Sequence, residues 1–108
     1  MINRRSFIVG IKGTKLDNQE IKFLNQYKPW GIILFSRNLK DIKQIKSLTK
    51  KIRKIFRDKY YPIIIDQEGG RVNRLDKFIS LDYLTSEYFG KLYIKDKRQF
   101  NLIYKLFI

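Results

Sequence analysis

Trp30-Gly31-Ile32-Ile33-Leu34-Phe35 is a stretch with no charged side chain and no alternation between apolar and polar positions. A strand with one wet face alternates, whereas a strand covered on both faces does not, so this stretch predicts a strand inside a parallel sheet. Ahead of it, Asp17-Asn18-Gln19-Glu20 has capping-box spacing: Asp17 can accept a backbone N–H, and Glu20, three residues on, can reach back. The helix so opened is expected from about Asn18 to Gln26, with Ile21, Leu24 and Tyr27 facing inward. Further back, Ser6 to Ile11 is another unalternating run, punctuated by Gly10 and Gly13, and it too predicts a strand buried on both faces. Downstream, Ile42, Ile45, Leu48, Ile52, Ile55 and Phe56 recur at helical spacing with Lys and Arg opposite, an amphipathic helix from Asp41 to about Arg57. Tyr60-Tyr61-Pro62-Ile63-Ile64-Ile65 is the third strand-like run, its proline tolerated near a strand start.

The resulting order is β-α-β-α-β. Continuous apolar strands alternating with amphipathic helices call for a parallel sheet with right-handed crossovers, as in a doubly wound sheet or a (β/α) barrel. After Leu75 the pattern becomes a loop and then two helical stretches. The last opens at Asp96, with Gln99 in capping register, and sets Phe100, Ile103, Tyr104 and Phe107 on one face. The sequence stops at Ile108 within that face, with no Gly, Pro or polar cap, as expected of a piece of a longer protein.

Composition narrows the function classes. The 108 residues include 24 Lys+Arg and 10 Asp+Glu, a formal net charge of +14, and neither Cys nor His. Disulfide frameworks, thiolate metal sites, imidazole bases and His-ligated zinc therefore cannot be built from these residues alone. The charge invites a nucleic-acid reading, since Lys and Arg neutralise phosphates and release counterions. The basic residues, however, interleave with Ile, Leu and Phe where any solvated helix face places them. Ile and Lys are the commonest residues and Ala is absent, an even bias along the whole chain that resembles a genome-wide preference. No nucleic acid and no membrane partner is expected. Asn3-Arg4-Arg5-Ser6-Phe7-Ile8 has the look of a twin-arginine signal, but Lys12 and Lys15 break the apolar region such a signal needs, and a cytoplasmic location is expected.

The densest chemistry is Asp66-Gln67-Glu68-Gly69-Gly70-Arg71-Val72-Asn73-Arg74, at the carboxyl end of the third strand, the edge where parallel α/β folds bind ligands. Its glycines permit close backbone approach, and its carboxylates and guanidiniums can hold polyhydroxylated or anionic groups by charge-assisted hydrogen bonds. The same charges could instead pair with one another on a surface loop. Asp66 and Glu68 do not form a glycosidase dyad by themselves, because alternate residues of an extended segment point to opposite faces.

With Trp30-Gly31-Ile32-Ile33-Leu34-Phe35-Ser36-Arg37-Asn38 one unit earlier, this loop resembles the N-terminal part of the glycoside hydrolase family 3 β-N-acetylhexosaminidases of bacterial cell-wall recycling. The resemblance runs from about Ser6 to Ile108. It implies that residues 1–108 are one incomplete domain, the first βαβαβ portion of a truncated TIM (β/α)8 barrel. It further implies hydrolysis of terminal N-acetylglucosamine from peptidoglycan-derived muropeptides by a retaining mechanism, in the cytoplasm, with no metal or cofactor. By the resemblance Asp66 binds hydroxyls of the terminal sugar and Arg74 is a second substrate-binding residue. Glu68, Gly69, Gly70 and Arg71 support the loop, and Arg37 and Asn38 either support the same rim or form a simple turn and helix cap. The family's acid/base His, on a Lys-His-Phe-Pro-Gly-His-Gly type loop, and its nucleophilic Asp are not matched here. The chain alone is therefore expected to be inactive and aggregation-prone. From another class, the alternative is a non-catalytic basic remnant that lays the Lys-rich helix of residues 41–58 on nucleic acid or an anionic surface, with salt-dependent binding.

Overall fold

The computed structural model describes residues 3–68, 72–80 and 83–107, and the chain forms two compact units, Met1–Asp66 and Gln67–Ile108. In the first, β1 (Arg5–Gly10), α1 (Asn18–Tyr27), β2 (Pro29–Leu34), α2 (Ile42–Phe56) and β3 (Ile63–Ile65) follow one another as expected. The strands are parallel in the order β1-β2-β3, with Val9 beside Ile32 and Ile32 beside Ile63. Right-handed crossovers running in one direction put both helices on one side of a sheet, and α1 and α2 do touch each other. This sequential order belongs equally to a barrel segment and to the first half of a dinucleotide-binding sheet.

Local chemistry sets the helix ends. The Asp17 carboxylate accepts the Glu20 N–H at 2.7 Å, and the Glu20 carboxylate accepts the Asp17 N–H at 2.9 Å, completing the capping box. The bond from the Glu20 amide holds the Asp17 carboxyl below the ordinary carboxylate range. Asp41 opens α2 by accepting the Gln44 N–H at 2.8 Å. Both helices end on a residue in the left-handed region, Lys28 (φ 47°) and Arg57 (φ 50°), from which the backbone N–H turns back to helix carbonyls.

The core lies between the helices and one face of the sheet. Leu24 from α1, Leu48, Ile52 and Phe56 from α2, and Ile32 and Leu34 from β2 are buried, each such side chain contributing about 1.5–3 kcal/mol of hydrophobic stabilisation. The other face corrects the expectation of strands buried on both sides: Ile8 is 43% and Ile64 39% exposed. The unit's helices cover one side, so its strands are apolar on both faces but buried on one. Ile42, on the apolar spacing of α2, is exposed because it is the first helical residue, beyond the reach of the core.

The third strand is shorter than its apolar run. Pro62 has no N–H to give a ladder, and of the two tyrosines before it Tyr60 is exposed while Tyr61 serves as an anchor. Tyr61 is buried, stacks on Phe56 with 3.8 Å between ring centroids, and donates its hydroxyl to the Pro29 carbonyl at 2.9 Å. Arg4 lies 4.8 Å from the Tyr61 ring centroid and pairs with Asp58. Gly31 permits the close approach of β2 to this entry, since a Cβ there would lie 3.1 Å from the Pro62 carbonyl oxygen.

The second unit contains α3 (Ser86–Lys95) and α4 (Lys97–Phe107), the two helices expected after Leu75. Thr85 caps α3 by accepting the Tyr88 N–H at 3.1 Å. Asp96 ends α3 through its N–H to the Leu92 carbonyl and starts α4 by accepting the Gln99 N–H at 2.9 Å. Phe100 meets Phe89 and Tyr93 edge-on and stacks on Tyr104 at 4.9 Å. Among the described residues no helix is long and apolar enough to cross a membrane.

Candidate functional site

At the carboxyl edge of the sheet, β1 and β2 are fastened to each other by side chains. After β2 the chain makes a 3-10 turn, Ser36–Asn38, and Asn38 is fully buried. A buried amide is costly unless its donors and acceptor are satisfied. The Asn38 Oδ1 accepts the Phe35 N–H at 2.9 Å, and its Nδ2 donates to the carbonyls of Ile11 at 3.1 Å and Gly13 at 2.9 Å. Asn38 is thus a clamp between the loops after β1 and β2, and the helix cap of α2 is Asp41. Gln44 adds a second tie, donating to the Thr14 carbonyl at 2.7 Å and the Asn38 carbonyl at 3.1 Å.

Arg37 lies on the same turn. Its Nε donates to the Ile11 carbonyl at 3.1 Å, and its guanidinium sits 4.6 Å from the Phe35 ring centroid. Gly10 leaves room for both groups: a Cβ there would lie 3.3 Å from the Phe35 ring and 3.4 Å from an Arg37 terminal nitrogen. The register Ile33 to Ile64 and Leu34 to Ile65 brings Phe35 and Asp66 to neighbouring strand ends, one step beyond the last pair. Asp66 is half-buried there and is the last residue of the first unit.

The loop that follows belongs to the second unit. Glu68 is exposed and Arg74 half-buried, while Gly69, Gly70 and Arg71 lie outside the described residues. Among the described residues, the bonds that brace this loop come from Gln67 and Asn73. The Gln67 amide donates to Asn73 Oδ1 at 2.9 Å and accepts the Arg74 N–H at 2.9 Å. Asn73 also donates to the Ile79 carbonyl at 2.8 Å and accepts the Leu75 N–H at 3.0 Å. Sequence reasoning passed over both amides in favour of their charged neighbours. The signal available was the presence of Gln and Asn in a Gly-rich loop, where such side chains substitute for missing backbone partners.

Chemically, the strand end offers a carboxylate and the loop a guanidinium, groups that accept from and donate to hydroxyls respectively. A β-hexosaminidase from Haemophilus ducreyi is 49% identical over 67 residues, covering 62% of this chain and 19% of that protein. One from Psychromonas ingrahamii is 42% identical over 78 residues, covering 71% of this chain and 23% of that protein. The chain thus spans about a fifth of the length of these curated relatives. Among solved structures, NagZ from Neisseria gonorrhoeae in complex with N-trifluoroacetyl-D-glucosamine superimposes with a TM-score of 0.72 at 34% identity, over 88% of this chain and 28% of that one. A glycoside hydrolase family 3 β-N-acetylglucosaminidase from Paenibacillus gives 0.60 at 29% identity, over 69% of this chain and 15% of that one. No family model matches the chain.

Proposed function

We propose, for a chain that belongs over its matched length with the glycoside hydrolase family 3 β-hexosaminidases, that it supplies the part of such an enzyme that holds the terminal N-acetylglucosamine. The observation that carries this reading is the placement of Asp66 at the carboxyl end of β3, directly before the loop bearing Arg74, in a fold that superimposes on a NagZ bound to an N-acetylglucosamine analogue. In this reading Asp66 accepts hydrogen bonds from sugar hydroxyls, and Arg74, whose backbone N–H is held by Gln67, is a second substrate-binding residue. The three sequential strands form the first part of a (β/α)8 barrel. Proton donation and nucleophilic attack fall to groups outside these 108 residues, which contain no histidine.

The reaction in this reading is hydrolysis of terminal N-acetylglucosamine from peptidoglycan-derived muropeptides in the cytoplasm. A covalent glycosyl-enzyme intermediate would form between carboxyl groups about 5–5.5 Å apart. The test is release of the chromophore from a 4-nitrophenyl N-acetyl-β-D-glucosaminide by the protein with its acid/base His and nucleophilic Asp present. Asp66→Ala is expected to raise KM at least about tenfold, the loss of one charge-assisted contact to substrate. No release from the folded protein, or an unchanged KM in the variant, refutes the reading.

A further inference from the structure

The sequence places Arg74 four residues after the adjacent Gly69 and Gly70, and glycine restrains the backbone less than any other residue. A guanidinium there needs fixed points of its own if it is to hold one direction. The second unit supplies two. The peptide group ahead of the Arg74 Cα donates its N–H, that of Arg74, to Gln67 Oε1 at 2.9 Å. The peptide group behind it donates its N–H, that of Leu75, to Asn73 Oδ1 at 3.0 Å. The two amide side chains are joined to each other, Gln67 Nε2 donating to Asn73 Oδ1 at 2.9 Å. Asn73 Nδ2 donates to the Ile79 carbonyl at 2.8 Å, and the Ile79 N–H returns to the Leu75 carbonyl at 2.8 Å, which closes the set of bonds on itself.

Each residue has two soft backbone dihedrals, so anchoring the peptide groups on both sides of Arg74 fixes its φ and ψ, and with them the direction of its Cα–Cβ bond. Gln67, Asn73 and Arg74 are half-buried, which shields these bonds in part from competing water. The pair also has to be made of amides. Gln67 both receives and gives, and Asn73 receives twice while giving to Ile79, whereas a carboxylate in either place cannot give. We propose that Gln67 and Asn73 are positioning residues that act on the substrate through Arg74, by setting the direction in which its guanidinium is presented. The inference rests on the reading of Arg74 as a substrate-binding residue and adds what holds it in place.

The experiment measures KM and kcat for 4-nitrophenyl N-acetyl-β-D-glucosaminide on the whole protein, with its acid/base His and nucleophilic Asp present, in a cycle of Gln67→Met and Arg74→Ala. Gln67→Met keeps the length of the side chain and removes both of its hydrogen bonds. It is expected to raise KM about fivefold with kcat little changed, the pattern of a weakened contact that ground and transition states share. In the Arg74→Ala background the same substitution should raise KM no further, because the side chain it directs is gone. A merely structural role in the loop would add its effect in both backgrounds. An unchanged KM in Gln67→Met, or an equal rise with and without Arg74, overturns the proposal while Arg74 stands as a substrate contact. If Arg74→Ala itself leaves KM unchanged, the reading of Arg74 fails and the proposal with it, and Asp66→Ala judges the rest of the saccharide reading. Asn73→Leu, measured in the same two backgrounds against the same criterion, tests the other half of the pair and decides alone should Gln67→Met not fold.

Discussion

Replacing Asn38 with alanine removes three hydrogen bonds at once and leaves the Phe35 N–H and the carbonyls of Ile11 and Gly13 without that partner. The expected cost is about 3 kcal/mol, read as a lower urea midpoint. Asn38→Asp should fare no better, because a carboxylate cannot donate to the two carbonyls. Tyr61 gives a prediction in pH. Burial pushes its phenol up from 10.0 to about 12, against an opposing pull from Arg4. Below pH 10 the phenol is protonated whether the chain is folded or not, and the stability is intact. Between 10 and 12 the unfolded chain ionises first, so stability is lost as pH rises through that window. Tyr61→Phe should flatten this part of the profile of urea midpoint against pH, although it starts lower for want of the bond to Pro29.

At the scale of elements, two kinds of substitution should act with opposite sign. Gly31→Ala forces a methyl against the Pro62 carbonyl at 3.1 Å and the Pro62 Cβ at 3.2 Å, and is expected to cost about 1 kcal/mol net of its entropic benefit. Lys28→Gly and Arg57→Gly relieve left-handed backbone at the ends of α1 and α2, and should each add up to about 1 kcal/mol. Urea denaturation of the three variants decides both. The helix starts were legible from sequence because capping is local: Asp17 and Glu20, or Asp96 and Gln99, lie within one turn of each other. The Asn38 clamp was not, since its partners at Ile11 and Gly13 lie more than two dozen residues away and nothing local separates a buried amide from a turn. Asp66 and Arg74 stood out through a family resemblance carried by the loop as a whole. Gln67 and Asn73 stayed hidden because their contribution is to hold backbone rather than to carry charge. The strand runs told where strands would be, but an apolar run does not reveal which face its own helices leave uncovered.

For the whole molecule, that uncovered face and the +14 charge oppose each other. Ile8 and Ile64 favour association through the sheet, while like charges keep copies of the chain apart. Raising ionic strength screens only the second effect. The 108-residue chain should therefore sediment as larger species in high salt, and Ile8→Lys with Ile64→Lys should return it toward monomer with an unchanged circular dichroism spectrum. Salt-independent sedimentation of the parent would contradict this balance. The clamp around Asn38 has a further consequence, in time rather than in space. Its hydrogen-bonding groups run from Ile11 to Gln44, all N-terminal to β3. A ribosome translating this chain has supplied every group needed to tie that edge before it reaches the codon for Asp66, so the tie does not depend on any residue made after β2 and α2.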